Sequence, residues 1–202
     1  MPRTYDSSRR RAQAEQTRRA ILEAAQRRFE RDGYVATTME AIAGEAEVSL
    51  KTVYLAFSTK AGLLRAVWDQ LLKGDTDDAP VAERPWYVQV LEEADAERKL
   101  RLVAHHSVIV KQRIGPMLRV IRSASAVDPD GAALWDLIQT DFHANQRAIV
   151  ESLPHVDDVE RATDVLWTLN HPDVWLLFVD RGWTPDAFEA WFADTLVQQL
   201  LD

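Results

Sequence analysis

Apolar residues recur at intervals of three and four along most of this 202-residue chain, which is the spacing of one face of an α-helix. Near the start, Ile21, Leu22, Ala25 and Phe29 lie on one such stripe. No stretch of useful length alternates apolar and polar residues as a half-buried strand would, and no internal repeat is visible. The 7 glycines and 8 prolines are also too few for a turn-rich β protein. The pattern predicts an all-α fold.

Capping residues and helix breakers divide the chain into predicted helices. The first begins near residue 14 and ends at Gly33, which suits a left-handed C-terminal cap. Two short helices follow the N-cap candidates Thr38 and Ser49, and a fourth begins near residue 59. An acidic, breaker-rich loop separates these from helices predicted over residues 86–94, 96–113, 116–126, 129–152, 157–170, 172–180 and 185–201.

Positive charge is concentrated at the start of an acidic chain. The formal net charge is −8, but residues 1–60 carry 11 Lys or Arg against 8 Asp or Glu, and the remaining residues carry a net charge of −11. Residues 1–12, with Arg3 and the run Arg9 to Arg11, are predicted to form a flexible basic arm. The arm is compatible with a solvated tail or with binding in a minor groove. The asymmetry is what we expect if only the first part of the chain meets phosphates.

Some classes of function are disfavoured by what the chain lacks. It has no cysteine, which excludes disulfides, thiolate metal sites and cysteine nucleophiles. It has no glycine-rich phosphate loop, no Gly-x-Ser-x-Gly elbow and no metal-binding histidine pair, so we expect no enzymatic activity, catalytic residue, cofactor or metal. The N-terminus lacks the apolar segment of a secretory signal, and the longest apolar run, residues 174–179, is too short to span a membrane. The expected location is the cytoplasm.

Residues 38–60 have the pattern of a helix-turn-helix. A recognition helix needs one face anchored on a small core and one face free to enter a major groove about 12 Å wide. Leu50, Val53 and Phe57 supply the anchor at i, i+3 and i+7. The face left for base contacts consists of Lys51, Thr52 and Leu55, and phosphate contacts are expected from Thr38, Ser49, Tyr54 and Lys60. Two packed helices without a DNA partner are the alternative interpretation.

Residues 37–67, TTMEAIAGEAEVSLKTVYLAFSTKAGLLRAV, resemble the DNA-binding segment of the tetracycline-repressor (TetR) family of bacterial transcription regulators. The matching features are the threonine pair, Ile42-Ala43, Val48-Ser49, Thr52-Val53-Tyr54, Phe57, Lys60 and Leu63-Leu64. The resemblance implies a homodimer whose paired helix-turn-helix units bind successive major grooves of a near-palindromic operator in double-stranded DNA. The chain departs from the family in two places: Glu47 replaces a common glycine, and Leu55-Ala56 replaces an aromatic–histidine pair.

The middle helices are expected to hold a small-molecule effector. A pocket in a helical domain is mostly apolar with a few polar groups. The candidates on these helices are His106, Arg113, Trp135, Phe142, His143, Trp167 and His171. Each histidine can equally be a helix cap, a surface residue or a satisfied core group, and His171 before Pro172 also marks a helix break. We expect a largely apolar effector.

The last helices are rich in aromatic residues, which concentrate both in protein cores and at stable interfaces. The predicted dimer interface consists of Trp175, Phe188, Trp191, Phe192, Thr195 and Gln199. The alternative is that these rings all belong to the core of one chain. The resemblance favours a four-helix interface built from the last two long helices.

These features predict a helix-turn-helix DNA-binding domain over residues 13–58 and a helical ligand-binding and dimerisation domain over residues 59–202. The expected function is ligand-responsive transcription regulation, by a repressor that leaves its operator when the effector binds. A DNA-binding regulator without an effector, whose helical body serves only dimerisation or partner binding, is the alternative.

Overall fold

The computed structural model describes residues 4–74 and 80–201, and all regular structure in these ranges is helical. This confirms the predicted all-α class. The α-helices in chain order are α1 (Thr4–Ala36), α2 (Met39–Glu45), α3 (Leu50–Phe57), α4 (Lys60–Lys73), α5 (Pro85–Glu92), α6 (Ala96–Ser125), α7 (Pro129–Glu151), α8 (Val159–Leu169), α9 (Pro172–Asp180) and α10 (Pro185–Leu201), with a 3-10 turn at Val81–Glu83. Within the described ranges, no helix is both long enough and apolar enough to cross a membrane.

The chain folds as two compact units. The first unit comprises Met1–Gln70 and Pro116–Trp135, and the second comprises Leu71–Gly115 and Asp136–Asp202. The predicted domain of residues 13–58 lies within the first unit, which also contains residues 59–70, the end of α6 and the start of α7. Packing between segments far apart in sequence explains the difference. In the first unit Leu118 and Ile121 are buried, and Tyr34 donates a hydrogen bond to Asp128.

Helix α1 begins at Thr4, well before the predicted start. Residues 4–12 of the expected flexible arm therefore continue the helix, whereas residues 1–3 lie outside the described residues. The run from Arg9 to Gln13 contains only residues of high helix propensity and no breaker, which explains the extension. Gly33 interrupts the helix with φ 76° and ψ 173°. The positive φ agrees with a cap, but the extended ψ belongs to a conformation that is essentially restricted to glycine.

Helix α6 is continuous over Ala96–Ser125, where two helices separated near Pro116 were predicted. A proline inside a helix removes one backbone hydrogen bond and crowds the preceding turn. Here the helix continues because the apolar residues on both sides of the proline are buried: Ile114 before it, and Met117 and Ile121 after it. Burial of these side chains offsets the local defect.

The core of the first unit anchors the helix-turn-helix. Phe29 of α1, Ile42 of α2, Val53 of α3 and Leu64 of α4 are all buried in it. Helix α3 has only eight residues, too few to be stable in isolation. Its helical state therefore depends on burying Val53 and Phe57 against the neighbouring helices.

The second unit has an aromatic and aliphatic core that also contains two lysines of α6. Lys99 Nζ donates hydrogen bonds to the carbonyl oxygens of Leu91 and Ser152, at 3.1 and 2.7 Å, and to the Ser152 hydroxyl at 2.7 Å. Lys111 Nζ has no hydrogen-bond partner among the described residues. It lies 5.1 and 4.5 Å from the ring centres of Phe188 and Phe192. Burial lowers the pKa of Lys111 to about 7.

Candidate nucleic-acid interface and effector cavity

Both short helices of the helix-turn-helix begin at the predicted N-cap residues. The Thr38 hydroxyl accepts a hydrogen bond from the Ala41 N–H at 3.1 Å. The Ser49 hydroxyl accepts one from the Thr52 N–H at 3.1 Å. Each cap satisfies one of the free N–H groups at its helix start. The side chains of Thr38 and Ser49 are exposed, so both are accessible for the predicted phosphate contacts.

The turn between α2 and α3 adopts a left-handed backbone without a glycine. Glu47 has φ 55°, a conformation that costs most residues about 1 kcal/mol or more. The Val48 N–H donates to the Ala43 carbonyl at 3.0 Å, and the Glu47 N–H donates to the Gly44 carbonyl at 3.3 Å. The chain therefore forms the tight turn and places a strained residue where the resembled family commonly has glycine.

Helix α3 presents the predicted free face. Val53 and Phe57 are buried, whereas Tyr54 is 46% and Leu55 is 77% exposed. Lys51 is also exposed. Thr52 is half-buried, and its hydroxyl lies 2.7 Å from the Ser49 hydroxyl. The side chains that were assigned to base contacts thus lie on one accessible surface, while their contact with DNA remains a prediction.

Lys60 differs from the expectation of a phosphate ligand. Its Nζ donates to the carbonyl oxygens of Tyr34 at 2.8 Å and Thr37 at 3.1 Å. The same atom lies 4.1 Å from the centre of the Tyr34 ring. Burial lowers the pKa of Lys60, and the nearby Asp128 charge partly opposes the shift. Two hydrogen bonds occupy the ammonium group at the C-terminal end of α1, and its contact with phosphate remains a prediction.

The basic surface of α1 is partly neutralised by one carboxylate of α2. Glu45 pairs with Arg27 at 2.8 Å, Arg28 at 2.5 Å and Arg31 at 3.5 Å. The hydrogen bond from Arg27 is the main cause that holds the pKa of Glu45 below its usual range. The hydrogen bond from Arg28 and the charges of Arg28 and Arg31 lower it further. These arginines hold α1 to α2 and are less available for DNA than their number in the sequence indicates.

Arg18 is a candidate DNA-contact residue that the sequence analysis missed. Its guanidinium lies 4.4 Å from the centre of the Phe57 ring, and one nitrogen is 3.5 Å from the Ala56 carbonyl oxygen. Arg18 therefore places an exposed positive charge at the C-terminal end of α3. No local pattern marks this residue, because the contact joins positions that are 38 residues apart.

Two of the predicted effector residues meet at a cavity in the second unit. The cavity has a volume of about 190 Å³ and is lined by Lys73, Gly74, Trp86, His106, Ile109, Val110 and Arg113. The His106 ring centre lies 5.5 Å from that of Trp86. Its Nε2 atom is buried with no hydrogen-bond partner among the described residues, and burial lowers the pKa of His106. Trp86, which the sequence analysis did not select, completes this surface.

Four other predicted effector residues form a separate aromatic cluster within the second unit. The Trp167 ring centre lies 5.2 Å from His171 and 6.2 Å from His143, and Phe142 lies 6.1 Å from His171. His171 also caps α9, as its place before a proline suggested. Trp135 joins neither group, since it belongs to the first unit and faces Arg122 at 5.3 Å. The predicted set therefore does not form one pocket.

The predicted dimer residues are divided between the interior and the surface. Trp175, Phe188 and Phe192 are buried in the core of their own chain, so they are not available to a partner. Their packing explains this: the Trp175 and Phe188 ring centres are 5.0 Å apart, and those of Phe188 and Phe192 are 5.6 Å apart. Trp191 and Thr195 are half-buried, and Gln199 is exposed.

Apolar side chains that the sequence analysis did not select are exposed near the end of the chain. Leu177 is 66% and Trp183 is 39% exposed. Trp183 packs edge-on against Phe178, with ring centres 4.6 Å apart. Leu177 belongs to the apolar run of residues 174–179 and Trp183 to the aromatic residues near the end of the chain, but the sequence pattern does not show which of these side chains face solvent. They extend the aromatic cluster of the second unit to the surface.

The comparisons with known proteins agree with this architecture. Residues 21–67 match the family model of bacterial regulatory proteins, tetR family. No curated protein was found to match the chain. Among solved structures, a TetR-family transcriptional regulator from Mesorhizobium loti is 21% identical, with a TM-score of 0.69 over 93% of this chain and 96% of that one.

Two proteins from Pseudomonas aeruginosa have the same fold. A transcriptional regulator is 17% identical, with a TM-score of 0.73 over 92% of this chain and 90% of that one. NalD, the secondary repressor of the MexAB-OprM multidrug efflux pump, is 20% identical, with a TM-score of 0.64 over 93% and 98%. Residues 21–67 thus match the tetR family of bacterial regulatory proteins, and the chain shares its fold with solved structures of such regulators.

Proposed function

We propose that this regulator acts in the cytoplasm as a homodimeric repressor on a near-palindromic operator, and that a small effector releases it. The observation that carries the DNA-binding part is the accessible face of α3. Lys51, Tyr54 and Leu55 reach solvent there, while Val53 and Phe57 hold the helix in place. An exposed leucine beside a lysine suits a base edge that carries a thymine methyl group. Repression is proposed because NalD, a repressor, has the same fold.

Lys51→Ala and Leu55→Ser test the base-reading role. Each should change the preferred DNA sequence more than the affinity for non-specific DNA, because neither side chain is assigned to a phosphate. The measurement is selection from random duplexes, followed by fluorescence anisotropy on the selected site. Arg98→Ala removes an exposed charge in the second unit and should return the wild-type sequence. If the α3 variants also return it, the role is refuted.

Phosphate binding is assigned to the exposed hydroxyls of Thr38, Ser49 and Tyr54. Hydroxyl groups and helix N-termini commonly hold phosphates and fix the orientation of a protein on the duplex. Tyr54→Phe should therefore weaken specific and non-specific binding by similar factors and leave the preferred sequence unchanged. A changed preference would instead assign Tyr54 to the bases.

Dimerisation is proposed through the surface that contains Leu177, Trp183, Trp191 and Gln199. Exposed apolar side chains of this kind mark interaction surfaces, and a single short recognition helix contacts too few base pairs for tight binding. Leu177→Asp with Trp183→Asp should shift sedimentation toward the monomer. Val127→Asp, at an exposed apolar position of the first unit, is the matched control. A dimer that persists in the double variant would exclude this surface.

The cavity beside His106 and Trp86 is the proposed effector site. Its lining combines Trp86, Ile109 and Val110 with the basic side chains of Lys73, His106 and Arg113, which favours a small ligand with a largely apolar body and a polar group. The buried His106 Nε2 can hold that polar group. Thermal-shift measurements on aromatic compounds and on sugars should show stabilisation by the aromatic set only, and His106→Leu should reduce it. Tight binding of sugars alone would contradict the proposed chemistry. No shift with any compound would favour a regulator without an effector.

A further inference from the structure

Tyr34 occupies a buried position just after the Gly33 break in α1. It is 2% exposed, and its ring stacks on Phe29 with centres 6.0 Å apart. Its hydroxyl donates a hydrogen bond to the Asp128 carboxylate, 94 residues away. Burial and this hydrogen bond both raise the pKa of Tyr34, so the phenol stays protonated and acts as the donor. Neither side chain was selected by the motif analysis.

Asp128 also fixes the turn between α6 and α7. Its other carboxylate oxygen accepts the N–H groups of Asp130 at 2.9 Å and Gly131 at 3.3 Å. The turn is tightly packed, because a Cβ atom on Gly131 would lie 2.8 Å from the Ala124 carbonyl oxygen. The hydrogen bond from Tyr34 is the main cause that holds the pKa of Asp128 below its usual range. The Tyr34 hydroxyl is thus bonded to a carboxylate that is itself held in place by the backbone N–H groups of the turn.

The contacts continue from Tyr34 to the start of α2. Lys60 Nζ bridges the carbonyl oxygens of Tyr34 and Thr37 at 2.8 and 3.1 Å. The Thr37 hydroxyl in turn donates to the Gly33 carbonyl at 2.7 Å. The next residue, Thr38, is the N-cap of α2 and one of the proposed phosphate contacts. This series of contacts ties the corner between α1 and α2 to the turn between α6 and α7.

We propose that Tyr34 and Asp128 are positioning residues for DNA binding, whose hydrogen bond holds the corner between α1 and α2 in the geometry that presents α2 and α3 to the operator. The inference rests on the proposed function. Neither residue needs to touch DNA, since both act through Lys60, Thr37 and the N-cap. Helices α6 and α7 continue from this turn into the second unit.

Two conservative variants separate this role from general stability. Tyr34→Phe keeps the buried ring but removes the hydroxyl, and Asp128→Asn keeps a residue that caps helices well but removes the charge. Each should weaken operator binding about 3- to 10-fold, because a charge-assisted buried hydrogen bond is lost and the competent corner becomes less populated. The salt dependence should stay unchanged, since no phosphate contact is removed. Asp130→Asn, in the same turn, should bind as the wild type does.

The full-length protein is measured by fluorescence anisotropy well below its melting temperature, on the site selected by the wild type. The double variant should bind no more weakly than Tyr34→Phe alone, because Tyr34→Phe already abolishes the hydrogen bond that Asp128→Asn weakens. Additive losses, or wild-type affinity in both single variants, would overturn the proposal. Hydrogen exchange of the α2 amides tests it without DNA: protection should fall in Tyr34→Phe and remain in Asp130→Asn. If the wild type selects no DNA sequence, the proposed function fails, whereas unchanged α2 protection would refute the positioning role itself.

Discussion

Replacing Lys111 with methionine should stabilise the protein, although the side chain is in the middle of a core. Lys111 is 3% exposed and has no hydrogen-bond partner within the described part of the chain. Its ammonium group lies over the rings of Phe188 and Phe192. Burial is the cause that lowers its pKa, without a contribution from a neighbouring charge. Methionine has a similar length and carries no charge that must be desolvated.

The magnitude follows from the pKa. A fall from the ordinary value of 10.5 to about 7 corresponds to a cost of up to about 5 kcal/mol for keeping the charge inside. Attraction between the ammonium group and the two rings offsets about 1–2 kcal/mol of this cost in the wild type, and the methionine variant lacks that attraction. We therefore expect Lys111→Met to raise the free energy of unfolding by about 3–4 kcal/mol at pH 6.

The gain should depend on pH with a defined sign. Between pH 7 and 10.5 the unfolded chain holds a proton on Lys111 that the folded chain has released, so wild-type stability rises with pH across this window. Below pH 7 both states are protonated and the full cost is present. The advantage of methionine should thus be largest at pH 6 and disappear by pH 10.5, because wild-type stability rises by about 4 kcal/mol over this range.

Lys99→Met is the matched control, because Lys99 is a second buried lysine of α6 and differs in having three hydrogen bonds. Lys99→Met removes the donor to the carbonyl oxygens of Leu91 and Ser152 and should lower the free energy of unfolding by about 2–3 kcal/mol. Urea unfolding at fixed protein concentration from pH 6 to 10.5 measures both variants against wild type. A destabilised Lys111→Met at pH 6, or a difference that does not change with pH, would refute the buried-charge reasoning.

Two smaller predictions concern the backbone and a helix cap. Glu47→Gly should stabilise the protein by about 1 kcal/mol, because the left-handed φ of 55° suits glycine; Glu40→Gly, in the helical part of α2, should destabilise it by a similar amount. Asp158→Ala should cost about 1 kcal/mol by removing the acceptor for the Arg161 N–H at the start of α8; Asp157→Ala should change little. Thermal unfolding checks both pairs, and equal effects within either pair would contradict the assignment.

The helix-turn-helix was predictable because its determinants are close together in the sequence. Ser49 caps α3, Val53 and Phe57 bury one face, and Leu55 is left outside, all within nine residues. Hydrophobic spacing and capping chemistry act over this range. The same local rules predicted the N-cap Thr38 and the positive φ at Gly33.

The errors occurred where contacts join distant segments. From the sequence alone, a lysine at the start of α4 is equally suited to a phosphate and to the carbonyl oxygens of Tyr34 and Thr37, which lie 26 and 23 residues away. Phe188 and Phe192 belong to a terminal helix with apolar residues on more than one side. Its own pattern therefore could not show which side faces the core and which faces solvent.

This difference in range explains why the exposed face of α3 follows from the sequence and the lining of the cavity does not. A recognition helix must fit a groove of fixed width, so its anchor and its free face have to occur at fixed spacing on one short helix. A cavity has no such constraint: His106 and Trp86 come from different helices, and a third helix supplies Lys73. Several different sets of residues on these helices would satisfy the helical periodicity equally well. The lining of a cavity is thus determined by long-range packing. For this reason the six predicted effector residues that lie in the second unit divide there between two separate places.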